Sequence, residues 1–397
     1  MAGRRRVSGS SVVALCLLLV SLVACGGRTT ADPVRTEVQR VLDRRAAAVL
    51  DHDRAAYART GTGAGFDNLS AVPLAAWSYR VTDVDRTGDT ATADVELRYR
   101  VEGYDRGPVT AGRTVRLSRD GAGGRWSVAS DRPAEKAGQQ PWDQGAVRVV
   151  RGTHSLVLGV GQSAEALRGF ADLADRAVPD IPDAWDGDWS RRVVVVVPRT
   201  LEGMAGLLGS PASSYRGIAA VTTGETGGRE RAPADRVVVN PDAYGLLGTL
   251  GKQVVLTHET THVATRAHTT TATPLWLSEG YADWVGYRAT DRAPSQAAPE
   301  LARAVSEGRV PGRLPTDEDF GFTGDADDLA QAYESGWLAC RMIAAQWGED
   351  RLHAFYRAVG AHDERAGAVE DAMDEVLGTT PEAFTARWRE YLRAEFD

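Results

Sequence analysis

The sequence predicts an α+β chain in two parts, and three patterns carry that prediction. Residues 34–132 hold one long amphipathic stretch followed by alternating strand-like runs, the order of a helix laid on an antiparallel sheet. Residues 146–397 begin as a mixture of strands and helices and continue as helix alone. Between them, 133–145 is rich in Pro, Gly and Gln and reads as a linker. At 397 residues with 43% hydrophobic content, the chain is long enough to bury one or two cores.

The start of the chain looks like an export signal. Arg4-Arg5-Arg6 precede an apolar run over 12–23, too short and wrongly flanked for a permanent span, so 1–24 reads as a signal peptide. The run ends in Leu22-Val23-Ala24-Cys25-Gly26-Gly27, which resembles the bacterial lipobox. That resemblance implies a diacylated Cys25 as first mature residue, a tether over 25–33, and a lipoprotein on the extracytoplasmic face of the cell membrane. Of three cysteines, Cys16 leaves with the signal and Cys25 is modified, so Cys340 has no partner for an internal disulfide. A net charge of −8 with dispersed Lys and Arg argues against a nucleic-acid partner.

Taken in order, 34–59 predicts a helix with Val34, Val38, Val41, Leu42, Val49 and Leu50 on one side. Strands are expected at 77–84, 90–101, 109–118 and 125–129, with a hairpin loop at 121–124. A long helix followed by such a meander resembles the NTF2-like fold, a likeness of pattern that carries no activity. The second part predicts one or two strands over 146–158, a helix over 163–178 and a buried valine strand at 192–197. A helix follows at 201–208, then a strand pair at 217–223 and 236–240. The Gly- and charge-rich interval 224–235 between those strands reads as a mobile loop. A helix over 247–267 and another from about Leu275 come next, then an acidic loop at 315–327. Helices are expected at 329–347, 350–359 and 366–376, with a last one capped by Thr380 and started by Pro381.

The chemistry sits in Thr257-His258-Glu259-Thr260-Thr261-His262. On a helix, His258 and His262 project from one face a turn apart, as two imidazoles must to grip one metal ion. Glu259 lies beside them as a candidate general base. The three threonines are poor helix formers, so a helix kept here against propensity points to a site. A catalytic zinc needs a third protein ligand. One candidate is Glu279 in Trp276-Leu277-Ser278-Glu279-Gly280-Tyr281-Ala282-Asp283, where Asp283, one turn on, is placed to accept the outer N–H of a ligating His. The other is His268, which fits the metzincin spacing except that Thr265 stands where that family has Gly. Without that turn, His268 lies about 120° off the ligand face.

His-Glu-x-x-His followed by Trp-Leu-x-Glu-Gly-x-Ala resembles the gluzincin zinc metallopeptidases, especially the small bacterial peptidase MA-like members. The resemblance spans 146–397 and implies Zn2+ on His258, His262 and Glu279, with Glu259 as base and Asp283 behind a ligand. Gln331-Ala332-Tyr333-Glu334-Ser335-Gly336 resembles the segment where aminopeptidase-like members place a Tyr on the tetrahedral intermediate, which implies that role for Tyr333. The interval between His262 and Glu279 is a little shorter than in the aminopeptidases, and no Gly-x-Met-Glu-Asn motif is present. The resemblance therefore implies an endopeptidase acting on peptide or protein substrates. The alternative is a non-catalytic, zinc-containing envelope lipoprotein that acts as a binding module.

Overall fold

A computed structural model of the chain describes residues 33–121, 123–223, 234–321 and 326–396. The expected signal peptide, Cys25 and its tether through residue 32 lie outside the described residues, as do most of the expected 224–235 loop and part of the acidic loop. The architecture is α+β: a four-stranded antiparallel sheet, a five-stranded mixed sheet, and helices.

In the first half, α1 (Pro33–Leu50) buries Val38, Val41, Leu42 and Val49. It ends well short of residue 59. His52 takes a positive φ of 53°, and Asp53 then caps the short α2 (Arg54–Ala58) by accepting the Ala56 N–H at 2.8 Å. After α3 (Phe66–Leu69), β1 (Leu74–Thr87), β2 (Thr90–Val101), β3 (Val109–Ser118) and β4 (Ser127–Pro133) pair in chain order as an antiparallel meander. Alternation along β2 buries Ala91, Ala93, Val95, Leu97, Tyr99 and Val101 in the core shared with α1.

The 133–145 segment is packed rather than slack. Its α4 (Pro141–Gln144) buries Trp142, and Asp143 accepts two hydrogen bonds from the Arg113 guanidinium of β3, at 2.8 and 2.9 Å. The Pro that suggests a linker starts a helical turn, with Asp143 also accepting the Gln140 N–H at 2.7 Å.

Next come β5 (Val147–Arg151), β6 (Ser155–Val160), α5 (Ala164–Asp180), β7 (Val193–Val197), α6 (Leu201–Leu208), β8 (Ala220–Thr222) and β9 (Val237–Val239). Their order is β5-β6-β7-β9-β8, with β6, β7 and β9 parallel and the edge strands β5 and β8 antiparallel to their neighbours. Val194 and Val196 of β7 join the N-terminal core, whereas Val193, Val195 and Val197 join the core of the helical half. The second sheet is thus a wall between two cores, which is why β7 is valine on both faces.

The rest is helical: α7 (Pro241–Gly245), α8 (Thr249–Thr265), α9 (Leu275–Arg288), α10 (Pro294–Ala297), α11 (Pro299–Ser306), α12 (Ala326–Trp347), α13 (Glu349–Ala361), α14 (Ala368–Ala372) and α15 (Pro381–Phe396). The helix expected at 366–376 divides into α14 and a π-helical turn at Met373–Leu377. Among the described residues, no helix is long and apolar enough to cross a membrane.

Two glycines set the spacing of the central helices. A Cβ on Gly280 of α9 would fall 2.2 Å from the Gly336 carbonyl oxygen of α12, and one on Gly336 would fall 2.6 Å from the Trp276 oxygen. Backbone meets backbone there, so no side chain fits at either position.

Candidate metal centre

The ligand helix α8 is buried around most of its circumference, including Thr257, Thr260, Thr261 and Thr265. Their hydroxyls need partners, and for Thr260 and Thr261 the preceding turn supplies them. Thr260 donates to the Leu256 carbonyl at 2.6 Å and Thr261 to that of Thr257 at 2.8 Å. Threonine tolerates this burial because its hydroxyl folds back on the preceding turn.

On this frame three ligand atoms converge. His258 Nε2 is 3.0 Å from His262 Nε2 and 3.3 Å from Glu279 Oε2, and His262 Nε2 is 3.6 Å from the same oxygen. A tetrahedral zinc at 2.0–2.1 Å from its ligands sets them roughly 3.3–3.4 Å apart, so the three residues fit the ion. His258, His262 and Glu279 form the one group with metal-ligand geometry among the described residues. His262 and Glu279 are 4% and 7% exposed, so water does not satisfy these lone pairs freely.

Asp283 completes the set from behind. Its Oδ1 lies 2.8 Å from His258 Nδ1, which fixes the proton on that nitrogen and leaves the Nε2 lone pair turned inward. Electrostatics agree with a cation site. Burial pushes the Glu279 carboxyl up, yet the facing His262 and His258 outweigh it and hold the group well below the usual carboxylate range. Burial opposes the charged His258 ring, but Asp283 and Glu279 raise it well above an ordinary imidazole. A proton therefore competes with a metal ion here, and metal affinity falls in acid.

Glu259, 6% exposed, follows His258 on α8. Its Oε2 accepts a hydrogen bond from Thr222 Oγ1 at 2.7 Å, while the same hydroxyl lies 3.1 Å from the Glu259 carbonyl. Thr222 belongs to the edge strand β8, so the carboxylate and the strand are held together. The base of that hairpin is held twice more. Arg266, the residue after α8, donates to the Thr223 carbonyl and to Asp235, both at 2.9 Å, and Arg236 forks onto Asp105 of the N-terminal half at 2.7 and 2.8 Å.

The other expected residues lie elsewhere. His268, three residues past α8, has its Nε2 2.7 Å from Arg357 Nη1 and 3.1 Å from Asp188 Oδ2, with its ring against Trp185. Tyr333 is half-buried on α12 with its ring edge-on to Phe320, and it is not part of the converging ligand group. Thr222 and the Asp105–Arg236 pair were not singled out by the sequence; nothing local marks partners 37 and 131 residues apart.

No protein-family model matches this chain, and no curated protein matches it.

Proposed function

We propose that the protein is a zinc-dependent peptidase of the gluzincin type, acting as an endopeptidase on extracytoplasmic peptides or proteins. The observation that carries the reading is the triangle of His258, His262 and Glu279 with edges of 3.0, 3.3 and 3.6 Å, with the buried Glu259 next to His258 in the chain. When bound, zinc supplies a Lewis acid that brings water and a peptide carbonyl within reach of neutral-pH hydrolysis.

The chain's own residues do the rest. Asp283 holds His258 in the ligating tautomer. Thr222 keeps one oxygen of Glu259 hydrogen-bonded, and in this reading the carboxylate takes the proton of the attacking water and returns it to the leaving amine. The outer edge of β8 offers backbone groups to an extended substrate, which favours cleavage within a chain. Tyr333 is proposed as a donor to the developing oxyanion on the strength of its segment's resemblance alone.

Glu259→Gln tests the reading. It should reduce cleavage of a fluorogenic peptide library by about 10²–10⁴-fold while leaving bound zinc and melting temperature unchanged. Retained cleavage would remove Glu259 from the mechanism, and a wild-type protein that holds zinc yet cleaves nothing would favour the non-catalytic alternative. The N-terminal half, with its helix on a four-strand meander, is proposed to be NTF2-like. Attachment to the membrane through a lipidated Cys25 is proposed from the sequence, and Cys25→Ser should move the protein to the soluble fraction with hydrolysis intact. Retention of that variant in salt-washed membranes would contradict it.

A further inference from the structure

One turn of the N-terminal half, 102–108 between β2 and β3, touches the starts of three parallel strands of the second sheet. Tyr104 donates its hydroxyl to the Ser155 carbonyl, where β6 begins, at 2.9 Å. Arg192, the residue before β7, donates to the Gly103 carbonyl at 3.1 Å. Arg236, the residue before β9, forks onto Asp105 at 2.7 and 2.8 Å. The first two contacts end on backbone carbonyls, whereas the third is an ion pair in which the Asp105 side chain is wholly buried. Asp105 Oδ2 also accepts the Val101 N–H at 2.7 Å, which fixes the carboxylate to the end of β2.

The third contact leads to the candidate base. Arg236 brackets Thr223: its N–H donates to Thr223 Oγ1, and its carbonyl accepts the Thr223 N–H, each at 2.9 Å. Arg266 ties the same Thr223 to the end of the ligand helix. One residue back, Thr222 carries the hydroxyl that lies 2.7 Å from Glu259 Oε2. β8 needs such ties. It is three residues long and lies at the sheet edge against β9, so few ladder hydrogen bonds hold it. A buried ionic fork at its base adds what the ladder lacks, because charge-assisted hydrogen bonds are roughly twice as strong as neutral ones.

We propose that Asp105 is a positioning residue for Glu259: the N-terminal half, through Arg236, holds β8 where Thr222 meets the base. The role of Glu259 rests on the peptidase reading, whereas the hold on β8 does not. The N-terminal half thereby completes the site instead of riding beside it.

The test compares wild type with Asp105→Asn, which turns one acceptor facing the guanidinium into a donor, and with Thr222→Val. Amide hydrogen exchange of the 217–223 segment, followed by mass spectrometry on the full chain, should quicken about tenfold or more in Asp105→Asn, with bound zinc unchanged. On a fluorogenic peptide, kcat should fall about tenfold and KM rise by less than that. The kcat losses of Asp105→Asn and Thr222→Val should fail to add in the double variant, because one acts through the other. If Asp105→Asn fails to fold, Arg236→Gln breaks the same fork from the hairpin side and takes its place. Unchanged exchange over 217–223 would overturn the proposal whatever the peptide assay shows. Additive kcat losses, a loss confined to KM, or a loss of bound zinc would do the same, since in none of these does Asp105 act through Thr222 on the base. A wild type that cleaves nothing would remove the peptidase reading, and the exchange measurement would still decide whether Asp105 holds β8.

Discussion

Two buried clusters in this protein set acids against bases, and they do so in opposite ways. In the N-terminal sheet, Arg113 sends Nε, Nη1 and Nη2 to Asp131 and Asp143, so each carboxylate meets a donor. Between α8 and α9, two imidazole nitrogens and a carboxylate oxygen turn towards one another within 3.6 Å. The first cluster is closed on itself. The second is an excess of acceptors that only a cation, metal or proton, relieves. Burial of polar groups is common to both, so burial does not mark the site; the imbalance does. Arg45 Nε and Trp77 Nε1, buried without acceptors, present the reverse imbalance, and both residues line the same pocket as Arg113.

The comparison breaks most visibly at Arg113. Arg113→Met leaves two carboxylates that are only 13% and 10% exposed without their cation, and a loss of about 3–5 kcal/mol is expected, read as a lower denaturant midpoint by tryptophan fluorescence. An unchanged midpoint would show that the cluster is not closed on itself. A smaller effect sharpens the other side. Asp283→Ala frees His258 to rotate without removing a ligand, so zinc affinity measured against a chromophoric chelator should fall ~10–100-fold with the fold intact. Unaltered affinity would mean that the 2.8 Å contact to His258 Nδ1 does not orient the ring.

Much of the candidate metal centre was legible because its geometry is local. His258 and His262 share a helix face by spacing alone, and so do Glu279 and Asp283. How closely these two faces meet is set where Gly286 of α9 passes α8, a Cβ there falling 3.2 Å from the Val254 carbonyl oxygen and 3.8 Å from the His258 nitrogen, and nothing in the motif marks it. Thr222 was not legible, since its tie to Glu259 exists only after β8 has reached the sheet edge. The 133–145 segment misled in a different way. Proline and glycine mark a helix start as readily as a spacer, and the buried Trp142 and the ion-paired Asp143 disclose their role only beside Arg113. The first helix stops short of residue 59 because the turn at His52 and the Asp53 cap end it, and neither interrupts the apolar side that runs from Val34 to Leu50.

The most direct test of the account is zinc stoichiometry, measured by atomic emission on purified wild-type, Glu279→Ala and His268→Ala proteins. The converging triangle predicts one zinc per wild-type chain, and a fall in affinity for Glu279→Ala greater than the ~10–100-fold typical of losing a supporting contact. His268, tied to Arg357 and Asp188, should be dispensable for the metal. A full zinc complement in Glu279→Ala together with an empty site in His268→Ala would contradict both the ligand set and the kinship inferred from it.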